Sequence, residues 1–204
     1  MGLTKLPSNY RLAREIDMRK DKKMAFWLNV AGTFLFFALC VIGYLIHPID
    51  STFEFKFIYI IVVIAGLFLY IILHELTHAL FMRLFIHNRV NFGFHVYAAY
   101  AGMKDGYFRR LEYIIIALAP VVILGVALAL LNIFLPSGWF WTIFIIQGQN
   151  IAGAVGDYYV IYLLTKTSSK TLINDDGMSM RYYEVDPSKI DYEERKDDDF
   201  FDLQ

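Results

Sequence analysis

Two histidines and a glutamate have the types and spacing of a metal-dependent hydrolase. They stand in the sequence His74-Glu75-Leu76-Thr77-His78. On a helix, side chains four residues apart share one face, so both imidazoles can reach a single ion. The glutamate between them lies close enough to take a proton from a water molecule that the ion polarises. The motif therefore predicts a zinc site with Glu75 as general base and an open metal position.

The setting of this motif strengthens the prediction. It follows the apolar run 57–73, and an ionisable group at bilayer depth costs roughly 2.5–3.5 kcal/mol on insertion scales. Ionisable side chains at this depth are retained where they form part of a functional site. The alternative is that these polar side chains form a purely structural hydrogen-bonded cluster between helices.

Long apolar runs define the elements that must hold these residues. The chain is 57% hydrophobic and 19% charged, with a mean hydropathy of +0.45. Since a spanning helix needs roughly 20 apolar residues, four spans are predicted, at 25–46, 57–85, 111–135 and 139–165. The predicted fold is an all-α integral membrane protein. Its four-helix metallopeptidase-like domain, 25–165, is flanked by a basic segment, 1–24, and an acidic, partly disordered tail, 166–204.

The distribution of Lys and Arg orients these spans. From the amino terminus, the five segments between and beyond the spans hold 7, 1, 5, 0 and 6 of the 19 Lys and Arg residues, with Arg83 at the end of the second span counted in the third segment. This alternation predicts a multi-pass protein of the plasma membrane with both termini in the cytoplasm. At about 1.5 Å per residue, His78 lies roughly 10 Å and His74 roughly 16 Å from the cytoplasmic end of the second span.

A third protein ligand is needed, and acidic residues are scarce in the spans. Besides Glu75, the spans contain Glu112, at the mouth of the third span, and Asp157, which lies deep in the fourth. Asp157 is roughly 12 Å from the cytoplasmic end of its span, at the depth of the two histidines. We therefore expect Asp157 to be the third ligand and Glu112 to be an interfacial ion partner. The alternative for Asp157 is a structural aspartate paired to a neighbouring helix.

Two further polar or helix-breaking residues bear on the site. Asn150 lies on the same helical face as Asp157. It either assists catalysis, by donating to the substrate carbonyl or its developing oxyanion, or bonds a neighbouring backbone. Pro120 removes one backbone donor near the predicted depth of the metal, and it either opens a path for water or is a packing kink.

The connections outside the spans contain two strand-like stretches. The aromatic segment 91–100 predicts a short hairpin after the second span, with an exposed edge that could pair with an extended peptide substrate. His95, within it, either touches the metal in a resting state or is an interfacial residue. The segment 172–178 predicts a turn between two short strands, within a small cytoplasmic cap.

The sequence around these residues resembles a family of bacterial membrane proteins described as zincin peptidases. The resemblance rests on residues 73–80, on Ala119-Pro120 and on residues 150–157. More distantly, the chain resembles the site-2 proteases, which are intramembrane zinc metalloproteases, although Gly156-Asp157-Tyr158 departs from their Leu-Asp-Gly pattern. The resemblance implies zinc held by His74, His78 and Asp157, with Glu75 as base, acting on a peptide bond near or within the bilayer.

These features predict a membrane-embedded zinc endopeptidase whose partners are the lipid bilayer and a membrane protein or peptide substrate. The alternative is a non-proteolytic zinc-binding membrane regulator or pseudoprotease, although a bare metal site does not need Glu75. A metal transporter would need ionisable groups along the whole membrane depth, which the outward halves of the spans lack. The net charge of −1 argues against a nucleic-acid partner, and a single cysteine, Cys40, excludes both a disulfide framework and a cysteine-rich zinc site.

Overall fold

The computed structural model describes residues 2–17, 20–49, 56–95 and 98–189. Within these residues the chain forms five α-helices, which are α1 (Lys22–Ile46), α2 (Phe57–Phe85), α3 (Arg110–Phe134), α4 (Phe140–Gly153) and α5 (Val155–Thr165). The same residues form six strands, which are β1 (Tyr10–Asp17), β2 (Asn91–His95), β3 (Ala98–Gly102), β4 (Phe108–Arg109), β5 (Leu172–Asp175) and β6 (Ser179–Val185).

Three of the helices, α1, α2 and α3, are long and apolar enough to cross a membrane. They contain 25, 29 and 25 residues, against the roughly 20 that a bilayer requires. Their outer faces expose large apolar side chains such as Phe34, Phe68 and Val122. Such a surface is unusual in water and expected against lipid. The first three predicted spans coincide with these helices to within three residues at each end.

The fourth predicted span, 139–165, is not one continuous helix. Helix α4 ends at Gly153 and α5 begins at Val155, because Ala154 between them has a ψ of 13°, outside the α-helical range. Glycine at the end of α4 favours such a break, since it costs about 1 kcal/mol relative to alanine inside a helix. With 14 and 11 residues, neither helix is long enough to cross a bilayer alone. The prediction of four continuous transmembrane helices is therefore not confirmed.

The structure is mostly helical, as predicted, but it is not all-α, because a four-stranded antiparallel sheet joins segment 10–17 to segment 179–185. Its strand order is β1-β6-β5-β4. Strand β1 comes from the basic segment 1–24 and pairs with β6, from the acidic tail, between Tyr10–Val185 and Asp17–Ser179. Most of β1 is exposed, so its sequence lacks the apolar alternation that usually signals a strand. The last dozen residues, for which disorder was predicted, lie within 190–204, outside the described residues.

Both predicted hairpins are present. Strands β2 and β3 pair from Asn91–Gly102 to His95–Ala98, and β5 pairs with β6 through a turn that contains Gly177. Gly177 has a φ of +90°, which favours glycine, and a Cβ there would lie 2.2 Å from the Tyr100 ring. The two hairpins therefore pack against each other.

The main hydrophobic core lies where the sheet meets the helix ends. Met103, Phe108, Leu164 and Ile173 are fully buried there, with side chains from α2 and α3 around them. Helix α4 packs against α1, α2 and α3, and α5 packs against α1 and α3. This arrangement places the first turn of α5 opposite the middle of α2.

Candidate metal centre

The two histidines of the motif lie on the inner face of α2. His74 and His78 are each 8% exposed, whereas the leucines at 73, 76 and 80 face outward. One helical turn between the histidines brings their Nε2 atoms to 3.1 Å from each other. Two ring nitrogens at this distance repel each other unless a proton or a cation lies between them.

Asp157 completes the group from the first turn of α5. Its Oδ2 lies 3.4 Å from Nε2 of His74, and its Oδ1 lies 3.5 Å from Nε2 of His78. The break at Ala154 puts this carboxylate at the amino-terminal end of a helix, where the positive end of the helix dipole stabilises an anion. The structure thus brings together the three residues that the sequence nominates as ligands.

The donor set fits a zinc ion. The ligand atoms of His74, His78 and Asp157 all lie within 4.8 Å of one another. Tetrahedral zinc with bonds of about 2.0–2.1 Å separates neighbouring ligand atoms by about 3.3 Å. The two Nε2 atoms are 3.1 Å apart, and each lies close to a different oxygen of the Asp157 carboxylate, at 3.4 Å for His74 and 3.5 Å for His78. Three protein ligands of this kind leave the fourth position open for a reactant, as in catalytic zinc sites.

Each histidine is oriented by a partner on its other ring nitrogen. Nδ1 of His74 lies 2.9 Å from the hydroxyl of Tyr70, one turn earlier on α2. Nδ1 of His78 lies 2.9 Å from the backbone carbonyl of Ile116 on α3. Such outer contacts fix the ring and leave Nε2 for the metal. Neither partner was predicted from the sequence, although a tyrosine four residues before a ligand on the same helix was a detectable signal for Tyr70.

Glu75 lies beside the three ligands without joining them. It is half-buried on α2, where its carboxylate interacts with the backbone N–H of Ala101 on β3. The hairpin β2–β3 therefore lies directly over the motif and holds the carboxylate at the edge of the site. This is the location that a general base for an attacking water requires.

A cavity of about 630 Å³ contains the site. Its walls come from α1, α2, the end of α4, α5, both hairpins and one residue of α3. The lining residues that bear on chemistry are His74, Glu75, His78, Tyr100, Tyr113, Asp157 and Asp175. The volume is within the range of sites that enclose small ligands or a short stretch of peptide.

Asn150 and Glu112 take other positions. Asn150 is fully buried, is not among the cavity-lining residues, and donates from Nδ2 to the carbonyl of Val121 on α3 at 3.1 Å. Of the two alternatives for Asn150, the structure shows the bond to a neighbouring backbone, and a catalytic role stays a prediction that this geometry does not support. Glu112 accepts a hydrogen bond from the backbone N–H of Arg109 at 2.9 Å and caps α3. The side chain of His95 lies outside the described part of the structure.

Asp175 is another half-buried carboxylate in the cavity wall, outside the spanning helices. Tyr113 on α3 donates a hydrogen bond to its Oδ2, the Gly177 N–H donates to its Oδ1 at 2.8 Å, and the Met103 N–H donates to its backbone carbonyl at 2.7 Å. Asp175 thus ties the sheet to α3 and to the end of β3. Burial raises the pKa of its carboxyl to about 6, despite the hydrogen bonds that lower it.

This raised pKa has a measurable consequence for stability. Because the pKa of Asp175 is higher in the folded than in the unfolded protein, its stabilising contribution is complete below about pH 4 and is lost as the pH rises through about 6. Between pH 4.5 and 7.5, we expect the unfolding free energy of the wild type to fall by about 2 kcal/mol relative to Asp175→Asn. Denaturant titrations of both proteins in detergent micelles measure this difference. Parallel pH profiles would contradict it.

Together these features give a protein with three helices apolar enough to cross a membrane and a possible metal-binding group of His74, His78 and Asp157. A family model described as "Putative zincin peptidase" matches residues 67–172, just over half of the chain, and the match covers His74, Glu75, His78 and Asp157. The chain belongs to this family. Searches of curated proteins and of solved structures gave no match.

Proposed function

We propose that this protein is a membrane-embedded zinc-dependent endopeptidase that cuts membrane or membrane-associated polypeptides. One observation carries the proposal: His74, His78 and Asp157, from two helices far apart in the chain, present their ligand atoms within 4.8 Å of one another in a cavity that also contains Glu75. A structural cluster of polar side chains would not require the glutamate at that position.

Each residue of the site has a distinct role in peptide hydrolysis. His74, His78 and Asp157 would hold zinc, which when bound would supply Lewis-acid chemistry toward water and the scissile carbonyl. The carboxylate of Glu75 accepts a proton from the attacking water and passes it to the amine nitrogen as the C–N bond breaks. The backbone N–H of Ala101 keeps this carboxylate facing the cavity.

The edge of β3 suits an extended substrate. In this antiparallel pair, alternate residues point their backbone groups toward β2 or away from it. The Ala101 N–H points away from β2, toward Glu75, so the backbone groups of Ala99 point to the same side, and both residues line the cavity. A peptide that adds as a strand along this edge passes its amide bonds beside Glu75. The substrate segment is therefore extended where it is cut.

The membrane arrangement follows from the helices and the charges. We propose that α4 and α5 together make the fourth crossing, since a helix break is tolerated where protein or a cavity surrounds it. The sheet lies at the helix ends that carry most Lys and Arg, which favours the cytoplasmic side of the plasma membrane for both termini. The metal centre then lies below the headgroups of the inner leaflet.

The proposal is tested by mapping new protein N-termini in membranes of cells that produce either the wild type or Glu75→Gln. Chemical labelling of free N-termini identifies cleavage sites without a known substrate. We expect a set of sites that depends on Glu75 and disappears when a zinc chelator is added. Identical N-termini in both membranes would contradict the proposal.

A further inference from the structure

A proline inside α3 leaves one buried carbonyl without its usual partner. Pro120 lies in the interior of this helix, which runs unbroken from Arg110 to Phe134. The carbonyl four residues earlier belongs to Ile116 and would normally accept the N–H of residue 120. Proline has no N–H, so this carbonyl must find another donor. Ile116 is 1% exposed, and a buried carbonyl without a partner is costly in a membrane helix.

The replacement donor is a metal ligand. Nδ1 of His78 lies 2.9 Å from the Ile116 carbonyl oxygen, although the two residues are 38 positions apart in the chain. A carbonyl oxygen only accepts hydrogen bonds, so Nδ1 carries the hydrogen, and Nε2 keeps its lone pair. Nε2 faces Nε2 of His74 at 3.1 Å and Oδ1 of Asp157 at 3.5 Å.

We propose that Pro120 is a positioning residue for the metal centre: by removing a backbone donor, it frees the Ile116 carbonyl to hold His78 in its metal-binding tautomer and orientation. The inference rests on the proposed zinc site. It explains an asymmetry between the two histidines, since His74 is oriented by Tyr70 from its own helix, whereas His78 depends on α3. It adds a role in the site to the two sequence-based interpretations of Pro120, which are a path for water and a packing kink.

The test compares zinc affinity among variants at position 120. Pro120→Ala restores an N–H that competes with His78 for the Ile116 carbonyl. Loss of an outer-shell partner typically weakens metal binding by about 10- to 100-fold, and we expect a loss of that size here. Helix stability is not at risk, because alanine is the best helix former. Zinc dissociation constants are measured in detergent by competition with a chromophoric chelator.

A backbone ester at position 120 distinguishes the effect of the missing N–H donor from the effect of the proline ring. Lactic acid at position 120 has the alanine side chain but an ester oxygen in place of the N–H, so we expect wild-type affinity. Pro136→Ala, outside the helices, controls for removal of a proline. Equal affinity of the wild type and Pro120→Ala would overturn the inference, and so would equal weakening by alanine and by the ester. If the wild type itself binds no zinc, the proposed metal centre fails first.

Discussion

Glu75→Gln is expected to abolish proteolysis while leaving the metal in place. The substitution keeps the size of the side chain and an oxygen that can accept a hydrogen bond from the Ala101 N–H. The amide, however, cannot take a proton from water. General-base catalysis contributes about 10²- to 10⁴-fold to rate, so we expect cleavage at the mapped sites to fall by at least about 100-fold. Zinc content should remain that of the wild type, since Glu75 is not among the three grouped ligands.

The matched control lies two residues along the same helix. The hydroxyl of Thr77 bonds back to the carbonyl of Leu73 at 2.7 Å, within α2. Thr77→Ala therefore changes the motif segment without touching the site, and its cleavage rate should stay within a few-fold of the wild type. A Glu75→Gln protein that still cleaves at the wild-type rate would remove this residue from the mechanism. Loss of zinc in the same variant would instead make Glu75 part of the metal site.

Asp157→Asn is expected to empty the metal centre. The substitution removes the only anionic ligand while preserving side-chain volume. Because loss of a mere outer-shell partner costs about 10- to 100-fold in metal affinity, loss of a ligand should cost more than about 100-fold. Proteolysis should be lost with the metal.

Glu112→Gln supplies the control for that variant. Glu112 is also a buried carboxylate near a helix start, but it caps α3 and is absent from the metal group. Its replacement should weaken the helix end and leave zinc binding unchanged. If both variants lost zinc equally, the effect of Asp157→Asn would reflect general damage to the fold.

The residues of the candidate site could be predicted from the sequence because their positions are constrained by helix geometry or by the bilayer. His74, Glu75 and His78 are fixed by one helical turn, and ionisable side chains inside apolar runs are too costly to be incidental. Asp157 could be nominated because few acidic residues lie at that depth. The bounds of α1, α2 and α3 could also be predicted, because a helix that crosses lipid needs a long, unbroken run of apolar residues.

The features that were missed depend on contacts between distant segments. Strand β1 is mostly exposed and highly charged, so only its pairing with β6, far along the chain, makes it a strand. The break at Ala154 lies in an apolar run whose composition resembles that of a continuous span. The bond between His78 and Ile116 joins two helices whose register no local pattern specifies. Asn150 was predicted to share a helical face with Asp157, but the two lie on different helices, and the Asn150 amide bonds to α3.

The most direct test is the zinc content of the purified protein, measured by mass spectrometry after dialysis against a weak chelator, for the wild type, Glu75→Gln and Asp157→Asn. Two imidazoles and one carboxylate that share an ion predict about one zinc per chain in the first two proteins and almost none in Asp157→Asn. A wild type without zinc, or an Asp157→Asn protein that retains it fully, would contradict the metal centre on which the proposed function depends.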